Sequence, residues 1–181
     1  MHLPKIDKTW TLFLDRDGVI NEEKDMDYIN TWNEFQFYKG ALEAIRIFSE
    51  KFGRIVIVTN QRGIAKGVTL LHHLEEIHQN LLSEVIKAKG RIDNIYYCGD
   101  MDDNSPDRKP QPGMGLQAKK DFPEIHFAKS IMIGNTLSDM QFGRNLGVAL
   151  NIFLSTTRPD IKEDKAIDLI FPDLLSVAFA L

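Results

Sequence analysis

The stretch LFLDRDGVIN, from Leu12 to Asn21, decides how this chain is read. An apolar run leads straight into two aspartates, Asp15 and Asp17, and a glycine follows at once. Side chains alternate along an extended backbone, so Asp15 and Asp17 point to the same side. Two like charges placed so close repel each other, and they gain nothing for folding unless something positive sits between them. A strand that simply breaks at an Asp-Gly turn is the plainer reading. The rest of the chain has to separate the two.

The chain has 181 residues, enough for one domain, and a domain of this size buries roughly 70% of its unfolded surface. A composition of 43% hydrophobic and 27% charged residues is ordinary for a globular protein. The net charge of −4 argues against a nucleic-acid surface, which is normally basic. A single cysteine, Cys98, excludes an intrachain disulfide and fits a reducing, cytoplasmic compartment. The segment MHLPKIDKTW has no apolar run of the signal-peptide kind, and no stretch of about 18 apolar residues suggests a membrane span.

Short apolar, β-rich runs alternate with longer helical patterns. Strands are expected over residues 11–15, 54–60, 94–98, 129–133 and 148–154. Helices are expected over 41–52, 69–89, 113–121 and 137–146, and the tail from 167 to 181 reads as a short strand and a helix. The run RIVIVTN has almost no polar face, as in a strand covered on both sides. This alternation predicts βαβ units: a parallel sheet with helices on both faces, in one domain over residues 1–181. Residues 21–39 and 99–112 are expected to be long loops.

Such sheets place their sites at the carboxyl ends of the strands. The residues leaving the strands are Asp15 and Asp17, then Thr59 and Asn60, then Gly134 and Asn135, with Arg108 and Lys109 in the loop after the third strand. Their chemistries fit together. A carboxylate can attack phosphorus and a second can move the proton of the leaving oxygen. Mg²⁺ suits an oxygen-only site, while a hydroxyl, an amide and a lysine can hold phosphoryl oxygens.

In this order the motifs DRDGV, VTNQRG, DRKPQPGM and IGNTLSDM resemble those of the haloacid dehalogenase-like phosphatases. Within that superfamily LDRDGVIN, YINTWNEFQFYKGA, VTNQRGIAKG, IYYCGD, RKPQPGM and SDMQFGRNLG resemble the branch that holds heptose 1,7-bisphosphate and histidinol-phosphate phosphatases. The resemblance implies a Rossmann-like three-layer α/β/α fold with no large cap domain. It implies Mg²⁺-dependent hydrolysis of a small phosphorylated metabolite, such as heptose 1,7-bisphosphate or histidinol phosphate, through an aspartyl-phosphate. Asp15 is then the nucleophile and Asp17 the general acid/base, with Thr59 and Lys109 on the phosphoryl group. Asn60, Gln61, Arg62 and Arg108 face the substrate, as does the loop at Glu23–Met26. Asp15, Asp17, Asn135 and Asp139 lie at the metal.

Two departures stand out. Relatives carry Gly-Asp where this chain has Gly134-Asn135, which removes a negative charge from the metal site. A binding or regulatory protein that keeps a phosphate pocket without turnover is the alternative this raises. Thr136 also stands where the heptose enzymes tend to have lysine. Relatives also hold zinc in a cysteine- and histidine-bearing loop before RKP. Here that loop is the short YYCGDMDDNSPDRKP, and one thiolate cannot build a tetrahedral site, so no zinc is expected.

The remaining features have plainer readings. His72, His73 and His78 are expected on a solvated helix surface. Phe35, Phe37 and Tyr38 are expected to pack beneath the loop after the first strand. Lys66 in GIAKG either reaches a second phosphate or is merely exposed.

Overall fold

The computed structural model describes residues 3–24 and 27–181. β1 (Thr11–Leu14) is the centre of a six-stranded sheet. The others are β2 (Arg54–Asn60), β3 (Asn94–Cys98), β4 (Ser130–Gly134), β5 (Leu150–Leu154) and β6 (Leu169–Phe171). The order is β3-β2-β1-β4-β5-β6, with every pairing parallel. The strand order therefore reverses at β1, and a parallel sheet opens a crevice at the carboxyl side of such a switch point.

Period-two alternation sorts the apolar residues into two cores. Leu12, Leu14, Ile55, Ile57, Ile131 and Ile133 face α1 (Ala41–Lys51), α2 (Leu71–Lys87) and α5 (Leu174–Ala180). Phe13, Val56, Val58 and Met132 face α3 (Gly113–Asp121) and α4 (Leu137–Leu146). Leu12, Phe13 and Leu14 are fully buried, which is why the central strand has no polar face. The fold is the expected Rossmann-like α/β/α arrangement. Between β1 and α1 the only helical element among the described residues is a 3-10 turn at Trp32–Glu34, so no cap domain sits over the crevice.

Several boundaries differ from the sequence pattern for local reasons. Val148 does not start β5, because its N–H closes α4 onto Gly143 O at 3.0 Å while Gly147 turns at φ +75°. Thr69 stays outside α2, its hydroxyl bonded to Asn30 Oδ1 at 2.6 Å. The long loop after β1 is pinned by Glu34, whose carboxylate accepts from Asn30 N and Thr31 N at 2.7 and 3.3 Å. No helix among the described residues is long and apolar enough to cross a membrane.

Candidate active site

Asp15 follows β1 directly and is nearly buried, with its N–H bonded to Ile133 O at 3.0 Å. That bond carries the β1–β4 ladder one step past the strand and aligns the two exits. Lys109 reaches Asp15 from the loop before α3. Its Nζ lies 2.8 Å from Asp15 Oδ1, 2.6 Å from Asp139 Oδ1 and 2.8 Å from Val58 O. All three ammonium protons are used. Burial opposes the charge of Lys109, but Asp139 and Asp15 outweigh it and hold its pKa above the ordinary lysine value. Burial, with the charges of Asp139 and Asp17, outweighs Lys109 and pushes the Asp15 pKa up to about 7. One lysine between two carboxylates leaves this pocket short of positive charge.

Asp139 is placed by the start of α4. Thr136 and Asp139 form a capping box, with Asp139 Oδ2 accepting from Thr136 N at 3.0 Å and Thr136 Oγ1 at 2.7 Å. One oxygen caps the helix and the other holds Lys109. Asn60 ties the Lys109 loop to β2: its amide donates to Lys109 O and accepts from Lys109 N, both at 3.0 Å. Thr59 is buried beside it, and its hydroxyl accepts from Gln61 Nε2 at 2.9 Å.

Asp17 lies in a dense set of donors. Arg16 Nη2 donates to both of its oxygens at 2.9 Å, Asn21 Nδ2 donates at 2.9 Å and Gln61 Nε2 at 2.8 Å. Burial would raise the Asp17 pKa, but the Arg16 charge and these hydrogen bonds win and hold it below the usual carboxylate range. Gln61 bridges Asp17 and Thr59, so the first and second motifs are physically joined.

Asn135 is fully buried at the exit of β4. Its Nδ2 donates to Thr157 Oγ1 at 2.8 Å and lies 3.4 Å from Glu23 Oε2, while its Oδ1 has no partner among the described residues. Gly18, at φ +79°, lets this side chain in: a Cβ there would stand 2.0 Å from Asn135 Nδ2. A buried carbonyl oxygen with no donor is costly and is the kind of atom a cation satisfies. Among the described residues no three carboxylate, imidazole or thiol side chains form a ready-made metal cage. A hard cation held by one or two carboxylates, carbonyl oxygens and water fits what is present, and Mg²⁺ is bound in that manner.

Residues 11–179 match the family model described as polynucleotide kinase 3 phosphatase. A D-glycero-alpha-D-manno-heptose-1,7-bisphosphate 7-phosphatase of Campylobacter jejuni is 37% identical over 84% of this chain and 87% of that protein. This chain belongs to the haloacid dehalogenase-like phosphatases. A counterpart with the same name in Mycobacterium bovis is 31% identical over 94% of this chain and 90% of its own length. The crystal structure of D,D-heptose 1.7-bisphosphate phosphatase from B. bronchiseptica complexed with magnesium and phosphate superposes with a TM-score of 0.83 at 26% identity. That match covers 94% of this chain and 96% of the other.

In this phosphatase Asp15, Asp17, Thr59, Asn60, Arg108, Lys109 and Asp139 line one cleft of about 280 Å³. A neighbouring cleft of about 420 Å³ shares Asp17, Glu23 and Asn60 and adds Gln61, Lys24, Tyr28 and Lys66. The Lys66 ammonium sits 5.1 Å from the Tyr28 ring centre. Arg62 and Arg108 converge on Asp103 at the rim, Arg108 Nε at 3.1 Å. Of the loop expected at Glu23–Met26, Asp25 and Met26 lie outside the described residues. A larger cleft of about 620 Å³ opens at the amino ends of the strands, where Arg54 and Arg91 are both paired with Asp93.

One expectation is corrected. His78 is not on a solvated surface: it is 9% exposed, and its Nε2 lies 3.2 Å from Arg16 Nη1. The reason is helical spacing, since His78 follows Leu74 by four and precedes Leu81 by three, on the buried face of α2. Arg16 was not anticipated as a site residue at all, yet it is 1% exposed. Asn21 was missed too, although a polar side chain three residues past the glycine of DxDG is placed to fold back on Asp17. Phe35 is buried and stacks on Trp32 at 4.9 Å, with Phe37 edge-on at 5.0 Å, as the packing reading expects. Cys98 is buried, 3.9 Å from the Ser105 hydroxyl.

Proposed function

We propose that this phosphatase hydrolyses one phosphomonoester of a sugar bisphosphate, with heptose 1,7-bisphosphate as the first candidate and Mg²⁺ as cofactor. The observation that carries the reading is the convergence of Asp15, Asp17, Thr59 and Lys109 on one cleft beside the unpartnered Asn135 Oδ1. The names of the relatives favour the sugar substrate over histidinol phosphate.

Asp15 acts as the nucleophile. Lys109 engages its Oδ1, and Oδ2 makes no hydrogen bond among the described residues. Attack on phosphorus forms an aspartyl-phosphate and expels the sugar oxygen. Asp17, ionised in the resting site, must first take up a proton from solvent against the pull of Arg16; it gives that proton to the leaving oxygen, then takes one from the water that hydrolyses the aspartyl-phosphate. Lys109, the Thr59 hydroxyl and Asn60 bind the phosphoryl oxygens. Asp15, the Asp17 carbonyl and Asn135 Oδ1 would hold Mg²⁺, which offsets the charge that gathers on the transferring group. Asp139 acts behind Lys109, and a contribution to metal binding would run through that lysine. Arg62 and Arg108 face the part of the substrate beyond the reacting phosphate.

The test is phosphate release from heptose 1,7-bisphosphate, histidinol phosphate, other sugar phosphates and a 3′-phosphorylated oligonucleotide, with and without Mg²⁺. Release from the heptose ester that needs both Mg²⁺ and Asp15, with none from Asp15→Asn, is the expected result. Preferential release from the oligonucleotide would move the substrate to nucleic acid. No release from any ester at millimolar Mg²⁺ would leave a binding protein.

A further inference from the structure

We infer that His78 is a positioning residue for this phosphatase: its Nε2 accepts from Arg16 and fixes the guanidinium that holds Asp17 for proton transfer. The inference rests on the acid/base role of Asp17 stated above.

Arg16 is the largest fully buried side chain among the described residues, at 1% exposure. A buried guanidinium is tolerated only when its N–H groups are met. Nε and Nη2 are met by Asp17, at 3.3 Å and 2.9 Å. Nη1 is met by His78 at 3.2 Å, the one partner it has among the described residues. Above the plane lies Phe35, 6.0 Å from the guanidinium carbon, which offers a face but no acceptor. Among the described residues, His78 thus supplies the only lone pair on the far side of the fork from Asp17.

Guanidinium protons cannot be shed, so this hydrogen bond requires a neutral imidazole with a bare Nε2. The surroundings keep it so: burial, then the Arg16 charge, push the His78 pKa down to about 3. The imidazole is carried on α2, a helix of 17 residues packed on the sheet through Ile77, Leu81 and Val85. It therefore presents a rigid acceptor to a long, flexible side chain. Arg16 contributes three of the contacts that orient Asp17. A guanidinium held at one end only can pivot, and Asp17 pivots with it. Positional errors of about 1 Å in catalytic groups cost up to roughly a hundredfold in rate.

A packing role and a positioning role give different results. His78→Gln keeps an acceptor at similar reach, whereas His78→Met fills the space with none. Both are assayed beside the wild type on heptose 1,7-bisphosphate, whose leaving alkoxide needs a proton, and on 4-nitrophenyl phosphate, whose leaving phenolate hardly does. For His78→Met we expect kcat/KM on the sugar ester to fall about tenfold or more and that on the aryl ester by less than about threefold. His78→Gln is expected to restore most of the loss on the sugar ester. Unchanged values for His78→Met, equal losses on both esters, or equal losses for Met and Gln would each overturn the inference. A wild type inactive on both esters overturns the phosphatase reading, and this inference with it. Should His78→Met not fold, the ¹⁵N shifts of His78 in the wild type decide. A bare Nε2 with a protonated Nδ1 supports the inference, and a protonated Nε2 overturns it.

Discussion

Lys109 Nζ lies 2.6 Å from Asp139 Oδ1, with both side chains almost wholly excluded from solvent. The second carboxylate on that ammonium is Asp15, at 2.8 Å. Removing the lysine leaves two buried acids facing each other. Lys109→Met is therefore expected to destabilise the fold by about 3–5 kcal/mol, the usual cost of breaking a buried pair from one side. Urea denaturation measures it. The same variant is expected to release no phosphate, and a stability loss below about 1 kcal/mol would show that the two acids rearrange or take up protons without cost.

Asn135 keeps a carbonyl oxygen where relatives place a carboxylate, and that oxygen is unpartnered. Asn135→Asp adds a charge at the same point. Its expected effect is tighter Mg²⁺ binding by about an order of magnitude, since ligand charge tunes affinity at oxygen sites. Titration calorimetry reads this directly. An unchanged or weaker affinity would mean that position 135 does not touch the cation.

If Asp15 holds the proposed Mg²⁺, its raised pKa of about 7 sets the metal and a proton in competition for one carboxylate. Above that pH the carboxylate is ionised and available. Below it the proton must be displaced first. Apparent Mg²⁺ affinity is expected to be flat above pH 8 and to weaken by about tenfold per pH unit below 7, as one-proton linkage requires. The acid limb of the rate profile should move to lower pH as Mg²⁺ is raised. An affinity independent of pH from 6 to 8 would remove Asp15 from the metal site.

His78 carries a separate pH effect, on stability. Its folded pKa is pushed down to about 3, against 6.5 for the free side chain. Between those values the unfolded chain binds the extra proton, so stability rises with pH across that window. The contribution is fully present above pH 6.5 and is lost progressively as pH falls toward 3. The wild type should lose up to about 1.4 kcal/mol per pH unit more than His78→Gln over this window. Parallel stability curves for the two proteins would contradict a buried neutral His78.

Much of the site was legible because its residues sit where chain pattern and chemistry coincide. Asp15, Thr59 and Asn135 each leave an apolar strand, and all the exits of a parallel sheet lie at one edge. Lys109 was legible as a lysine in the loop after the third strand, but nothing in that loop's spacing says that it will meet Asp15, 94 residues away. Arg16 and His78 escaped. An arginine between two aspartates reads as solvent-facing by alternation, and a histidine among glutamates reads as surface. The turn after β1 folds the Arg16 side chain back onto Asp17, which alternation along a strand does not describe.

The sequence by itself determined the layers and the order of their elements along the chain. Period-two runs and helical repeats state which face of each element is apolar, and burial of that face follows from the hydrophobic effect. It also placed polar groups at the strand ends. Only the tertiary structure decided which of those groups touch. Arg16 meets His78 across 62 positions because α2 packs its apolar face on the sheet. Asn135 fits against Gly18 because β4 pairs with β1. Periodicity fixes direction within an element, but the pairing of two directions depends on how the elements pack, and that is a property of the assembled core.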